Sequence, residues 1–206
     1  MKDLFLTNYS EETFLDRLKD NLKKCNGFTF SVSFIKLAGL CLFERELEEA
    51  LQRGVKGKII TSTYQNFTDI PSLEHFLTLQ NKYTNFECHV DFQSFGTNGF
   101  HTKGYLFEYD DSYEFIVGST NITRFALKKN EEWNVSLISK EEMNSYNEAL
   151  ERFNYLWDKT LKLDQQVIKD YKYQLEYAIE KWDMDYISVN DVVINPNSMQ
   201  RKALGN

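Results

Sequence analysis

FHTKGYLFE, from Phe100 to Glu108, is followed by a turn at Asp110-Asp111-Ser112 and then by YEFIV, Tyr113 to Val117. The two apolar runs read as a hairpin, with strands over Phe100 to Tyr109 and Tyr113 to Val117. Side chains on a strand alternate between faces, so His101, Lys103 and Tyr105 are expected to project together. An imidazole beside an ammonium group suits an anionic substrate. The lysine binds a phosphate as a point charge, and the histidine attacks or shuttles a proton. At the end of the second strand comes G-S-T-N, Gly118 to Asn121, a turn that offers hydroxyl, amide and backbone N–H donors to an oxyanion. Taken alone, H-x-K is a common coincidence on a solvated strand face. The turn that follows gives it weight.

Working outward, helices and strands alternate with no internal repeat. Ser10 ahead of Glu11 and Glu12 predicts a helix start, since a hydroxyl caps free amides and carboxylates suit the positive end of the dipole. Phe14, Leu15, Leu18 and Leu22 then share one helical face. Phe28 to Ile35 alternates as a strand. Leu40, Phe43, Leu47, Ala50 and Leu51 follow at helical spacing, with Gly54 as the stop. A strand is expected over Lys58 to Thr63, a helix opened by Asp69-Ile70-Pro71, and a strand over Phe86 to Asp91. Past the hairpin, Glu132 to Ile138 alternates again, and Ser139-Lys140-Glu141-Glu142 reads as a capping box for a long helix reaching Trp157. A further helix is expected from Gln165 to Trp182, and Asp183 to Asn206 loses periodicity. The sum is an α/β domain over residues 1–160, its sheet flanked by helices on both faces, with a helical extension over 161–183 and a linker over 184–206.

Composition narrows the class. The 206 residues are 42% hydrophobic and 27% charged, in the range of ordinary globular domains. Sixteen Phe and twelve Tyr supply ample core material. A net charge of −7 argues against broad, non-specific adhesion to nucleic acid or anionic membrane. Affinity for DNA would need a local groove, for which Lys36, Lys56, Lys58, Lys103, Arg124, Lys128 and Lys129 are candidates. Cys25, Cys41 and Cys88 are widely spaced, without a CxxC pair or zinc spacing, and fit reduced thiols in a cytoplasmic protein. The longest greasy stretch, Phe28 to Phe43, falls short of the roughly 20 residues needed to span a bilayer, and no membrane partner is expected.

The combination of His101, Lys103 and Glu108 with Gly118, Ser119 and Asn121 resembles the phospholipase D superfamily motif, HxK, four residues, Asp, then GSxN. Glu108 stands where Asp is usual, and the gap to Gly118 is longer than the common spacing by the length of the turn at Asp110 to Ser112. N-E-E-W-N, Asn130 to Asn134, lies where small nuclease members place a glutamate, with Glu132 the better match and Glu131 the alternative. The segments SVSFIK, GVKGKIITSTY and FHTKGYLF together look like the phospholipase D-like domains at the N-terminus of bacterial superfamily 2 DNA helicases, and like related restriction nucleases. The resemblance implies a phospholipase D-like mixed sheet. INPNSMQRKAL, Ile194 to Leu204, resembles the lead-in to such a helicase motor, where Gln200 would read the adenine of ATP. No G-x-x-x-x-G-K-[ST] loop occurs in the 206 residues, so ATP binding would belong to a missing motor domain.

By this resemblance the function is a metal-independent phosphodiesterase, a DNA nuclease working through a phosphohistidine. His101, Lys103, Ser119, Asn121 and Glu132 are its catalytic residues, and Lys103, Asn121 and Ser119 bind the phosphate. No cofactor or metal is implied in this chain. Family members use two such histidines, whereas His75 and His89 have no lysine two residues on. A one-motif chain is therefore expected to pair as a homodimer with a shared site. The competing reading is a non-catalytic module that binds a DNA backbone or end for the same helicase. A lipid phosphodiesterase is disfavoured by the absence of a basic amphipathic helix and by the negative charge.

Overall fold

The computed structural model describes residues 2–92, 99–141 and 143–188. In chain order the first elements are β1 (Lys2–Leu6), α1 (Phe14–Lys24), β2 (Gly27–Val32), α2 (Leu37–Leu40), α3 (Glu44–Gln52), β3 (Lys56–Ser62), α4 (Ile70–Lys82) and β4 (Phe86–Asp91). There follow β5 (Lys103–Glu108), β6 (Tyr113–Gly118), α5 (Arg124–Lys128), β7 (Asn134–Ser139), α6 (Asn144–Trp157), β8 (Leu161–Lys162) and α7 (Gln165–Ser188). The chain divides into two units, Met1–Tyr171 and Lys172–Asn206. The first holds the whole sheet; the described part of the second is the remainder of α7.

All eight strands join one mixed sheet in the order β1-β7-β6-β5-β2-β3-β4-β8. The strands β2, β3 and β4 are parallel, joined through helices, as parallel neighbours require. The antiparallel meander β5-β6-β7 lies against the other side of β2, and β1 and β8 close the two edges on β7 and β4. This is the expected α/β architecture, a mixed sheet with helices on both faces. Alternation along β5 shows how the two faces are filled. Tyr105 meets Phe14 of α1 and Phe30 of β2, at 4.9 and 5.1 Å between ring centroids. Its neighbour Leu106 points the other way and packs with Met143 and Tyr146 at the start of α6. Each fully buried Phe or Leu in these layers contributes roughly 1.5–3 kcal/mol of burial.

Several local expectations shift by a few residues, each for a visible reason. The first helix starts at Phe14 with Thr13 as its cap, because Thr13 and Asp16 satisfy each other's backbone N–H groups. Ser10 does not cap it; its hydroxyl accepts the Thr7 N–H at 3.1 Å within the preceding loop. The helix expected across Leu40 to Leu51 is split into α2 and α3, and Gly54, at φ +87°, follows its end as expected. The capping box at Ser139 is not used: Ser139 Oγ accepts from the Glu141 N–H, and α6 begins at Asn144 without a side-chain cap. Glu142 lies outside the described residues. Helix α7 continues six residues past Trp182, to Ser188. Strands β1 and β8 were not anticipated. Each is an edge strand, and β8 has only two residues.

One ion pair ties α1 to the sheet. Arg17 reaches Glu114 of β6 through Nε at 2.9 Å and Nη2 at 2.6 Å. Glu114 is fully buried and also accepts from Ser136 Oγ at 2.6 Å. The hydrogen bonds that Arg17 donates to Glu114 hold the guanidinium well above its ordinary range, against the opposing effect of burial.

Candidate active site

Strand β5 pairs with β2 only as far as Lys103 opposite Val32. Beyond that point the Ser33 N–H and hydroxyl both donate to the Thr102 carbonyl, at 2.9 and 3.0 Å. His101 therefore stands just outside the strand, at the exposed rim, and not within it as the alternation predicts. Lys103, the first strand residue, is 8% exposed. Its Nζ lies 3.2 Å from His101 Nδ1, 3.2 Å from the His101 carbonyl and 3.3 Å from Ser33 Oγ. Tyr105 sits behind the pair and is buried, its hydroxyl donating to the Thr120 carbonyl at 2.8 Å. The three residues expected to act together thus divide their work. The histidine is offered to solvent, the lysine is held beneath it, and the tyrosine fastens the next motif.

That next motif is the turn Gly118-Ser119-Thr120-Asn121 at the end of β6. Gly118 is required by close approach: a Cβ there would lie 2.2 Å from the Trp133 carbonyl oxygen. The Ser119 N–H donates to that same carbonyl at 3.0 Å, and the Trp133 N–H returns a bond to Ser119 Oγ at 3.1 Å. Ser119 Oγ also donates to Glu132, whose other oxygen accepts from Asn130 at 3.2 Å. Ser119 therefore gives its only proton to the carboxylate in this arrangement. Asn121 Oδ1 accepts the Phe34 N–H at 3.2 Å, which leaves its NH2 as the group suited to an anion. The turn is locked from below by Asn134, which is buried. Its amide donates to Thr120 Oγ1 at 2.8 Å and to the Leu6 carbonyl at 3.3 Å.

The electrostatics follow from this layout. Burial, and then the charge of Lys103, hold the His101 imidazole below its ordinary value, so the ring is neutral near pH 7. Burial lowers Lys103 as well, and the nearby Glu132 carboxylate partly opposes the shift. That influence, together with the Asn121–Phe34 bond, connects the histidine–lysine pair to the Ser119–Glu132 pair. The structure thus gathers His101, Lys103, Ser119, Asn121 and Glu132 at one end of the sheet. Glu131 is turned elsewhere, its carboxylate accepting from the Trp133 indole at 3.1 Å. Glu108 ends β5 at the opposite end of the sheet, level with Gly27 and Lys56. Lys56 shares that far end, whereas Lys58 stands further along β3, opposite Thr29, and lies over the Trp157 ring. Gln200 lies outside the described residues.

Sequence reading did not single out Ser33, Phe34 or Tyr64. Phe34 sits 5.6 Å from the His101 ring and Tyr64 6.5 Å, both edge-on. Nothing in their local pattern distinguishes them from strand and loop residues, because their roles arise from the crossing of β2, β3 and β5. Among the described residues no three His, Cys, Asp or Glu side chains are grouped so as to hold a metal ion. Nor is any described helix long and apolar enough to cross a membrane.

The family model described as "Cardiolipin synthase, PLD-like domain" matches residues 33–157, which include every residue of this site. The chain belongs to this PLD-like family. Among solved structures, the PLD-like domain is similar to NucT from Helicobacter pylori, with a TM-score of 0.59 and 16% identity over 78% of this chain and 98% of that one. It is similar also to Nuc from Salmonella typhimurium, a phospholipase D family member, with a TM-score of 0.58 and 18% identity over 78% and 97% of the two chains. A third likeness is to phosphatidylserine synthase from Haemophilus influenzae, with a TM-score of 0.57 and 15% identity over 89% of this chain and 46% of that one. At these identities the likeness is one of fold. No curated protein matches the sequence.

Proposed function

We propose that this PLD-like domain is a metal-independent phosphodiesterase acting on DNA, through a phosphohistidine formed on His101. The observation that carries the reading is the 3.2 Å pairing of an exposed, neutral imidazole with a buried ammonium group beside the Gly118–Asn121 turn. A neutral ring nitrogen has the lone pair that nucleophilic attack needs, and the lysine places positive charge where phosphoryl oxygens would sit. Lys103 and the Asn121 NH2 bind those oxygens, and Ser119 joins them when its proton turns away from Glu132. In the first displacement a His101 nitrogen bonds to phosphorus as the P–O bond to the leaving group breaks. The leaving oxygen takes a proton from a second histidine, which must enter this step as the imidazolium and leave it neutral. Water then attacks phosphorus, giving its proton to that second histidine as the N–P bond breaks.

The second histidine is His101 of another copy, so the working unit is a homodimer with the site shared across its two-fold axis. In the full-length protein the domain serves as a nuclease module ahead of a helicase motor, whose adenine contact is Gln200.

The test is cleavage of labelled single- and double-stranded DNA in excess EDTA, with His101→Ala alongside. The expected result is cleavage that survives EDTA and falls at least about a hundredfold in the variant, the usual scale of an acid–base group. Salt-sensitive DNA binding without any cleavage would replace this reading with that of a backbone-binding module.

A further inference from the structure

An aromatic wall stands beside the site, and the phosphodiesterase chemistry leaves it unused. Phe34 contacts the His101 ring on one side and Phe67 on the other, 4.9 Å between centroids with the planes at 75°. Tyr64 reaches His101 from the same loop that carries Phe67. Phe67 is 47% exposed, so its ring is open to a ligand beside the site. The backbone between these rings is strained. Gln65 and Asn66 both hold left-handed conformations, at φ 55° and 57°, in a turn closed by the Asn66 N–H on the Thr63 carbonyl at 3.0 Å. Left-handed backbone is unusual at residues other than glycine, and it clusters where a loop must present its side chains in a fixed way. Here it brings Tyr64 to His101 and Phe67 to Phe34. The Lys103 ammonium lies 5.5 Å from the Phe34 ring, so a cation and an aromatic surface are neighbours within the reach of one nucleotide.

We propose that Phe34, Tyr64 and Phe67 form a stacking wall that takes an unpaired nucleobase next to the scissile phosphate, so that the site selects single-stranded over duplex DNA. The proposal rests on the phosphodiesterase reading for its phosphate. Its own content is the base. A strand of nucleic acid presents a flat ring beside every phosphate, which matches a ring beside a cation. In the interior of a duplex both faces of a base are covered by its stacked neighbours, so an unpaired base is the one free to lie against protein aromatics. Such stacking tolerates every base, because each has a π-face.

The experiment compares kcat/KM on a single-stranded oligonucleotide with that on the same strand carrying an abasic residue beside the cleaved bond, and on its duplex. For Phe67→Ala the ratio of base-bearing to abasic rates falls about tenfold, mainly through KM, and Phe67→Trp restores it. Phe67→Ala is expected to fold, since the side chain is half exposed, and its melting curve checks this. Equal losses on base-bearing and abasic strands would overturn the wall, as would duplex cut as fast as single strand by the unmodified chain. Should the unmodified chain cleave nothing, the phosphodiesterase reading falls separately. The wall is then read from anisotropy of the labelled strands. A loss of affinity in Phe67→Ala confined to the base-bearing strand supports it, and no such difference overturns it.

Discussion

Burial is the first cause of the lowered values of both His101 and Lys103. For His101 the direction suits a nucleophile, whereas for Lys103 it works against the ammonium that the phosphate needs and is partly offset by Glu132. The ordinary imidazole titrates near 6.5, and a lowered value means the neutral base persists as pH falls below that point. The His101 ring resonance in NMR is therefore expected to titrate below 6.5. Lys103→Met removes a positive charge that disfavours protonation, so the midpoint should move upward; an unchanged midpoint would show the two groups uncoupled. At this scale the sequence was informative about identity and less so about position. H-x-K and G-S-x-N were legible because phosphate chemistry uses few residue types at fixed spacing. That His101 stands off the strand was not legible. It depends on where β2 stops pairing, and on Ser33 turning both its donors to Thr102.

Among the elements, the long periodic ones were readable. Helix α4, with Asp69 as its cap and Pro71 in its first turn, begins where expected, and β4 spans Phe86 to Asp91 as read. The short edge strands escaped because five residues, or two, carry too little alternation to register. Another feature hidden from the sequence is what holds α1 in place. Arg17 and Glu114 are ninety-seven residues apart, and either would read as a surface charge. Glu114→Ala leaves the guanidinium of a half-buried Arg17 without its buried partner, with only the more exposed Glu12 at 3.4 Å. We expect it to lower unfolding free energy by about 3 kcal/mol in a urea titration. A loss under about 1 kcal/mol would mean that Arg17 simply turns to water.

On the scale of the whole molecule, the sheet leaves one strip of apolar side chains uncovered. Phe5, Val135 and Val117 line up across β1, β7 and β6 in direct register, all exposed, and Trp133 packs edge-on to Phe5 at 5.7 Å. The strip adjoins Glu132 through Trp133, and it is the surface on which the proposed homodimer would seat its second copy. Val135→Glu should therefore shift the mass seen by light scattering from dimer to monomer and lower DNA cleavage with it. A monomeric mass for the unmodified chain would remove the shared site.

The closing of β1 on β7 also bears on how the protein is made. Lys2 pairs with Ile138 and Leu6 with Asn134, so β1 must wait during synthesis for β7, more than a hundred residues further along the chain. At about 5–20 residues per second that delay is on the order of ten seconds. Throughout it Leu4 and Phe5 lack their sheet partner, and the Leu6 carbonyl lacks the amide of Asn134. That same amide also donates to Thr120 in the Gly118–Asn121 turn, so the closing of β1 on β7 and the candidate site share one side chain.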